Sequence, residues 1–254
     1  MILTSAGLSD RGCVRSENQD RIFFDDALGL YVVCDGLGGR RRGDVAAELA
    51  LNAIRQYIEH SRNSREVTWP YGYNLQISFA ANRISTAAKL ANRQVWKRSE
   101  ESLEFLGMGT TIAAVLFEPG LAAVANVGDT RAYLLRDGSL QQISVDDTVT
   151  QRQRQSEFAS LRGGAAGAIR SVLTRVAGSH ENLDVHLTEH PAEAGDVILL
   201  ASDGLHAVIS DGEIAELLRA ESLDEGVTAL VRAAKQAGAP DNVSAVVVRY
   251  QTES

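Results

Sequence analysis

Apolar positions along the chain recur with two periods, which predict short strands and longer helices. Two segments carry apolar residues at helical spacing, Asp44–Ser61 and Leu75–Arg98, and a third helix is predicted over Ser222–Gln236. Shorter β-prone runs are bounded by glycine, proline or asparagine, as strands usually are. These predicted strands are Arg21–Asp25, Gly29–Cys34, Thr110–Phe117, Ala122–Val127, Arg131–Arg136, Ser139–Ser144, Val197–Ala201 and Val243–Tyr250.

The order of these elements favours an α+β fold over an alternating parallel fold. Strands come in runs and helices come in runs, and Asp137-Gly138 has the dipeptide of a tight hairpin turn. The middle of the chain is therefore predicted to be an antiparallel meander within a layered sandwich. No linker is long enough to force a boundary, so we expect one domain over residues 1–254. The arginine-containing and glycine-rich segment 146–170 is predicted to be a flexible surface segment.

Composition excludes several classes of protein. Of the 254 residues, 44% are hydrophobic, which is enough for a sizeable core. The net charge of -8 argues against a nucleic-acid partner, whose phosphates are usually met by basic patches. Two cysteines form no disulfide framework, so we expect a reduced, cytoplasmic protein. No apolar stretch approaches the roughly 20 residues that span a bilayer, so we expect no direct membrane insertion. We also expect the protein to be a monomer.

Five aspartates stand beside glycine or asparagine at the ends of predicted strands. One such aspartate is usually part of a turn, but sheet edges can bring several strand ends into one cleft. Gathered carboxylates repel one another unless protons or cations compensate them, and ligand sets made only of oxygen suit magnesium or manganese. The glycine after one of them, Gly36, leaves its backbone carbonyl open to a cation. The five are Asp20, Asp35, Asp129, Asp203 and Asp241.

Eight short motifs, spread in a fixed order over nearly the whole chain, carry a resemblance to a known family. They are Ser9-Asp10-Arg11-Gly12, Arg15-Ser16-Glu17-Asn18-Gln19-Asp20, Val33-Cys34-Asp35-Gly36-Leu37-Gly38-Gly39, Gly107-Met108-Gly109-Thr110-Thr111, Val127 through Gly138, Val172-Leu173-Thr174-Arg175, Leu200 through Leu205, and Asp241-Asn242-Val243. Together they resemble the bacterial form of the protein phosphatase 2C family, the metal-dependent serine/threonine phosphatases. The resemblance implies a four-layer αββα sandwich, in which two packed antiparallel sheets are flanked by helices and carry a metal site at one end.

The resemblance also implies which residues hold ions. Asp35 would bridge two Mn²⁺ or Mg²⁺ ions, with the carbonyl of Gly36 as a further ligand of one ion. Asp203 and Asp241 would be ligands of the other. Asp129, together with Asp203, would hold a possible third and weaker ion.

Two further residues acquire roles from the same resemblance. Asp20 would orient metal-bound water, and it is therefore grouped with both the metal residues and the catalytic residues. Arg15 would bind the substrate phosphate. A guanidinium suits this role, because it can donate two parallel hydrogen bonds to a phosphate, which lysine cannot do.

The chain departs from the family pattern at two places near the expected site. Many bacterial relatives have histidine where this chain has Arg40, so a proton donor of that type cannot be assigned. Water on the third ion or His206 could protonate the leaving group instead. In the segment 146–170, which corresponds to a variable flap in the family, Asp147 stands where histidine is common.

The activity implied by the resemblance is hydrolysis of phosphoserine and phosphothreonine on other proteins, by a water that bridges two divalent metals. Phosphorylated proteins would be the partners, and a cognate bacterial Ser/Thr kinase would be opposed in signal transduction. A phosphatase of small phosphate esters has the same metal chemistry and stays open as an alternative. A catalytically weak or inactive phosphatase-fold binding module is a second alternative, against which the five retained aspartates argue.

Overall fold

Two five-stranded antiparallel sheets form the centre of the computed structural model, which describes residues 1–38, 42–63, 67–148 and 173–252. The strands are β1 (Ile2–Asp10), β2 (Arg21–Asp25), β3 (Leu30–Cys34), β4 (Gly36–Leu37), β5 (Gly109–Thr110), β6 (Ile112–Glu118), β7 (Leu121–Val127), β8 (Arg131–Arg136), β9 (Ser139–Gln142), β10 (His186–Pro191), β11 (Val197–Ala201) and β12 (Val243–Gln251). The helices are α1 (Gly43–Asn63), α2 (Phe79–Glu100), α3 (Asp203–His206), α4 (Asp211–Leu217) and α5 (Leu223–Gln236).

The strand order in each sheet is non-sequential. One sheet has the order β1-β12-β11-β8-β9, and the other has the order β10-β7-β6-β3-β2. The short strands β4 and β5 pair with each other as a separate two-stranded sheet. All of these pairings are antiparallel, which confirms the predicted sheet type.

Alternation of side chains along the strands accounts for the layers. In β3, Tyr31 and Val33 belong to a buried cluster shared with β11 and β12 of the other sheet. Val32 and Cys34 point the opposite way, into a cluster with α1 and α2. Because successive strand residues face opposite sides, a strand that is apolar throughout is buried on both faces. The result is helix, sheet, sheet and helix, which confirms the four-layer αββα sandwich.

The helices α2, α4 and α5 begin where a serine side chain accepts a hydrogen bond from one of the first free N–H groups. Ser78 caps α2 by accepting a hydrogen bond from the N–H of Ala81 at 3.0 Å. Ser222 caps α5 in the same way, through the N–H of Glu225 at 3.4 Å. The predicted start of the second helix at Leu75 was therefore too early, because the chain before Ser78 is non-helical and exposes 90% of Leu75.

Most predicted elements agree with the structure within a few residues, but β1, β4, β10 and α4 were missed. In β1 the residues Ile2–Asp10 are mostly small or polar, and the strand exists because its whole length pairs with β12. Of the predicted flexible segment 146–170, residues 149–170 lie outside the described part, and the single domain over 1–254 stays a prediction. Within the described part, no helix combines the length and apolar character needed to cross a membrane.

Candidate metal centre

The register of the strands brings the predicted aspartates to one end of the sandwich. In the second sheet Arg21 pairs with Cys34, so Asp20 and Asp35, each one residue beyond, meet at the same edge. In the first sheet Ala201 pairs with Arg131. Antiparallel pairing therefore places the end of β11, the start of β8 and the start of β12 together, and the aspartates stand beside these strand ends.

These strand ends surround a cleft with a volume of about 440 Å³. Asp20 does not line it, because its side chain lies behind the wall and only 2% of the residue is exposed. The other predicted residues meet there, except His206. Those that line the cleft are Arg15, Asp35, Gly36, Asp129, Asp203 and Asp241.

Glycines allow the cleft walls to approach closely. A Cβ at Gly36 would lie 2.2 Å from the carbonyl oxygen of Gly43, at the start of α1. A Cβ at Gly204 would lie 2.0 Å from the carbonyl oxygen of Asn242. Any side chain at either position would push apart the segments that carry the aspartates, so glycine is required for close approach.

The carboxylates strongly perturb one another. Burial raises the pKa of Asp35 well above its ordinary value, and the charges of Asp20 and Asp203 raise it further. Burial raises the pKa of Asp129 to about 7, again with a contribution from Asp203. The pKa of Asp203 is raised by burial and by the charge of Asp241. Such a group is stabilised by protons or by bound cations.

Asp20 has a different environment from the carboxylates of the cleft. Its Oδ2 accepts hydrogen bonds from the hydroxyls of Ser244 at 2.6 Å and Ser202 at 2.9 Å. These bonds favour the ionised form, but burial opposes them more strongly and raises its pKa to about 6. Because Ser244 lies in β12 and Ser202 directly follows β11, both of the first sheet, Asp20 joins the two sheets beside the cleft.

The donor set fits a hard divalent cation. The Oδ1 atoms of Asp20 and Asp203 are buried and have no hydrogen-bond partner, so oxygen lone pairs are available in a negatively charged region. No three His, Cys, Asp or Glu side chains in the described ranges are placed to hold an ion by themselves. Water and backbone oxygens would therefore complete the coordination, as they usually do for Mg²⁺.

Arg15 reaches the cleft from an exposed position. Its Nη2 lies 2.5 Å from Oδ2 of Asp241, and 57% of its side chain remains exposed. Asn242 positions the loop between β1 and β2 that carries Arg15. Its amide group donates to the carbonyls of Arg11 at 2.9 Å and Glu17 at 2.8 Å. A cationic fork at the edge of an acidic cleft is suited to binding a phosphate.

The position of His206 argues against the expectation that it donates a proton to the leaving group. Its Nε2 lies 3.0 Å from the backbone oxygen of Asp129, and this geometry requires a proton on that nitrogen. Burial lowers the pKa of His206 to about 4, so the imidazole is neutral near pH 7. The ring therefore supports the turn at Asp129 and does not line the cleft.

A buried pair of threonines that the sequence analysis did not assign to the site links two of its aspartates. The hydroxyl of Thr111 accepts from the N–H of Asp35 at 3.1 Å and lies 2.5 Å from the hydroxyl of Thr130. Thr130 directly follows Asp129. The motif that contains Thr111 was recognised, but nothing in the sequence indicates that its hydroxyl meets one 19 residues later.

Comparisons with known proteins agree with this geometry. The family model described as "Protein phosphatase 2C" matches residues 14–247. Serine/threonine protein phosphatase PstP of Mycobacterium tuberculosis is 33% identical over 247 residues, which are 97% of this chain and 45% of that protein. This chain thus spans about half the length of that relative. Serine/threonine phosphatase stp of Listeria welshimeri is 27% identical, with 94% of this chain and 93% of that protein covered.

A solved structure shows the same architecture. It is the catalytic domain of PstP in complex with two manganese ions, with a TM-score of 0.82, 31% identity and 99% of each chain covered. The family match, the sandwich fold and the aspartates gathered at one end of both sheets all agree. This chain belongs to the protein phosphatase 2C family.

Proposed function

We propose that this chain is a metal-dependent phosphatase that hydrolyses phosphoserine and phosphothreonine on other proteins. The observation that carries the proposal is the cleft itself, where four aspartates and one exposed guanidinium line the same space. The relatives PstP and stp, which are named serine/threonine phosphatases, support the same activity.

Asp35, Asp203 and Asp241, with the carbonyl of Gly36, would hold two divalent ions, and Asp129 with Asp203 would hold a third. When bound, the ions would acidify a water molecule and neutralise charge on the phosphoryl oxygens. Manganese is favoured because the PstP structure contains two manganese ions, and magnesium has similar oxygen preferences.

The protein's own side chains would bind and orient the substrate. Arg15 now pairs with Asp241, and a cation bound to that carboxylate would free the guanidinium to bind a phosphate through two parallel hydrogen bonds. Asp20 accepts hydrogen bonds through Oδ2 and keeps Oδ1 available to orient water.

A cysteine nucleophile is not part of this proposal. Cys34 immediately precedes Asp35, but the residue is fully buried and burial strongly raises the pKa of its thiol. The thiolate is the nucleophilic form, so this cysteine stays unreactive near neutral pH. Its side chain instead belongs to the core shared with α1 and α2.

The exposure of Arg15 favours protein substrates over small esters. A phosphorylated side chain on a protein surface can reach a guanidinium of which more than half is in solvent, whereas a closed pocket would be needed to surround a small ester. A cognate Ser/Thr kinase, a monomeric state, a single domain over 1–254 and a cytoplasmic location are further parts of the proposal.

Hydrolysis by metal-stripped protein tests the proposal. Turnover of a phosphothreonine peptide and of p-nitrophenyl phosphate would be measured before and after Mn²⁺ or Mg²⁺ is restored. Asp35→Asn should abolish the metal-dependent rate, whereas Asp224→Asn, on the exposed first turn of α5, should not change it.

Each pattern of turnover has a definite meaning. A preference for the peptide supports a protein phosphatase, and a preference for small esters supports that alternative. A folded wild type without turnover on either substrate would contradict the enzyme proposal and favour an inactive binding module.

A further inference from the structure

Three side chains form a polar cluster close to the turn that carries Asp129. Oδ1 of Asp147 lies 3.0 Å from Nη1 of Arg175 and 3.0 Å from Nε2 of His186. The same Nη1 lies 2.6 Å from Nε2 of His186. Because arginine can only donate, Arg175 donates to Asp147, and Nε2 of His186 either accepts from Arg175 or carries a proton and donates to Asp147, according to its tautomer.

Asp147 is the buried member of this cluster, with only 2% of its side chain exposed. A buried carboxylate needs charged or hydrogen-bonding partners on both oxygens. Arg175 supplies the partner of Oδ1. The partner of Oδ2 is the backbone N–H of Gly128, at 3.2 Å.

Asp147 forms two hydrogen bonds with Gly128, the residue before Asp129. Besides the carboxylate contact, the N–H of Asp147 donates to the carbonyl of Gly128 at 2.8 Å. Gly128 has a φ of +96°, and a Cβ there would lie 2.6 Å from Cγ2 of Thr111. This turn therefore depends on a glycine, and Asp147 holds that glycine from outside the cleft.

The next peptide group, between Asp129 and Thr130, is held by a different side chain. The backbone oxygen of Asp129 accepts from His206, so the main chain of Asp129 is fixed between two side chains. Asp147 also reaches a second wall of the cleft, because its carbonyl accepts from the N–H of Thr174 at 2.7 Å and the neighbouring Leu173 lines the cleft.

We propose that Asp147, held in place by Arg175, is a positioning residue that orients the Gly128–Asp129 turn and so sets the affinity of Asp129 for a divalent ion. The inference rests on the proposed function, since it assumes that Asp129 binds an ion. An ionised carboxylate can accept from Arg175 and Gly128 together. An asparagine at position 147 would turn its NH₂ group towards one of these two donors and lose that contact.

Binding of Mn²⁺ to metal-stripped protein tests the inference without measuring turnover. Free Mn²⁺ would be followed by electron paramagnetic resonance during titration of wild type, Asp147→Asn and Asp129→Asn. Both variants should weaken the same class of site by about tenfold or more, the loss expected when a charge-assisted hydrogen bond that orients a ligand is removed. The remaining sites should keep their wild-type affinity.

A matched control exists at the opposite end of the sandwich. Asp196 is also buried and pairs through both oxygens with Arg136, at 2.7 and 2.6 Å, and it accepts from the N–H of Glu193. It precedes β11, whereas Asp203 follows that strand, so the two ends are about 17 Å apart at 3.3–3.4 Å per residue. Asp196→Asn breaks a comparable ion pair and should leave Mn²⁺ binding unchanged.

A double-mutant cycle tests the role of Arg175. Arg175→Gln should weaken the same site, and combining it with Asp147→Asn should add little, because the arginine acts through Asp147. Additive losses would overturn that step.

The variants and the wild type fail in distinguishable ways. Wild-type Mn²⁺ binding by folded Asp147→Asn, or an equal loss in Asp196→Asn, would overturn the positioning role. Unchanged binding by Asp129→Asn would overturn it too. If the wild type itself bound no Mn²⁺, the proposed function would fail first and the inference with it.

Discussion

Replacement of Asp129 by asparagine should stabilise the metal-free protein at pH 8. In the folded protein, burial and the charges of Asp203 and Asp146 raise the pKa of Asp129 to about 7 from an ordinary value of 3.8. In the unfolded chain this carboxyl ionises near its ordinary pKa. The folded state therefore binds the proton more tightly than the unfolded state, and ionisation of Asp129 destabilises the fold.

The sign and size of this effect follow from the two pKa values. Below pH 3.8 both states hold the proton, so Asp129 contributes nothing. Above pH 7 both states have lost it, and the whole difference appears as lost stability. Each tenfold change in proton affinity is worth about 1.4 kcal/mol, so the loss is up to about 4 kcal/mol at pH 8 and about 2 kcal/mol at pH 5. The amide of the replacement carries no charge and removes this loss. The net gain in stability is smaller where the amide cannot form a hydrogen bond that the carboxylate forms.

Urea unfolding in EDTA at pH 5 and pH 8 measures the effect. Asp129→Asn should exceed wild type in free energy of unfolding by about 2 to 4 kcal/mol at pH 8, and the gain should shrink at pH 5. Asp224→Asn, an exposed replacement of the same type, controls for the loss of one negative charge. Added Mn²⁺ should then raise the stability of wild type more than that of the variant.

Two results would refute this reasoning. An Asp129→Asn protein no more stable than wild type at pH 8 would mean that the carboxylate carries no such penalty. A gain of the same size at both pH values would mean that packing or hydrogen bonding, and not ionisation, accounts for the change.

Three further substitutions test the other walls of the cleft. Asp35→Asn should lower Mn²⁺-dependent turnover of a phosphopeptide by about a hundredfold or more without changing the circular dichroism spectrum. Arg15→Lys keeps the positive charge but cannot donate two parallel hydrogen bonds to the phosphate. KM for the phosphopeptide should therefore rise by about tenfold, with a smaller change in kcat. Gly12→Ala should reduce both thermal stability and Mn²⁺ binding, because its Cβ would lie 2.0 Å from the carbonyl oxygen of Asp241. Gly72→Ala has a similar positive φ but open space around it, and it should lose stability without losing Mn²⁺ binding.

Much of the fold was predictable because each strand carries its own signal. An apolar run such as Val197–Ala201 is buried on both faces, and its hydrophobicity alone indicates a central strand. The aspartates were predictable for the same reason, since each stands beside a strand end that the pattern locates. The strand Ile2–Asp10 lacked this signal, because what stabilises it is its pairing along its whole length with β12, a partner at the other end of the chain.

The supporting residues of the site could not be predicted, because their contacts cross the chain. Asp147 appeared only as a departure from the family pattern, and its link to Gly128 spans 19 residues. His206 shows the opposite limit of the sequence pattern. Its spacing from Asp203 suggested chemistry, yet its nitrogen faces a backbone carbonyl and burial keeps the ring neutral. Residue type and spacing indicate what a side chain can do, but only its neighbours decide whether it is free to do it.

The arrangement of the carboxylates makes the ions part of the sandwich as well as part of the chemistry. Asp35 directly follows β3 of the second sheet, whereas Asp203 lies just after β11 and Asp241 just before β12 of the first, and burial and the charges of these two raise the pKa of Asp35. Their repulsion therefore acts across the interface between the sheets, at the end where Asp20 joins them through Ser202 and Ser244. A divalent ion shared by both sheets would turn this repulsion into attraction. Substitutions at these aspartates that weaken metal binding should consequently also reduce, by mass action, the stabilisation that added Mn²⁺ gives to the cleft end.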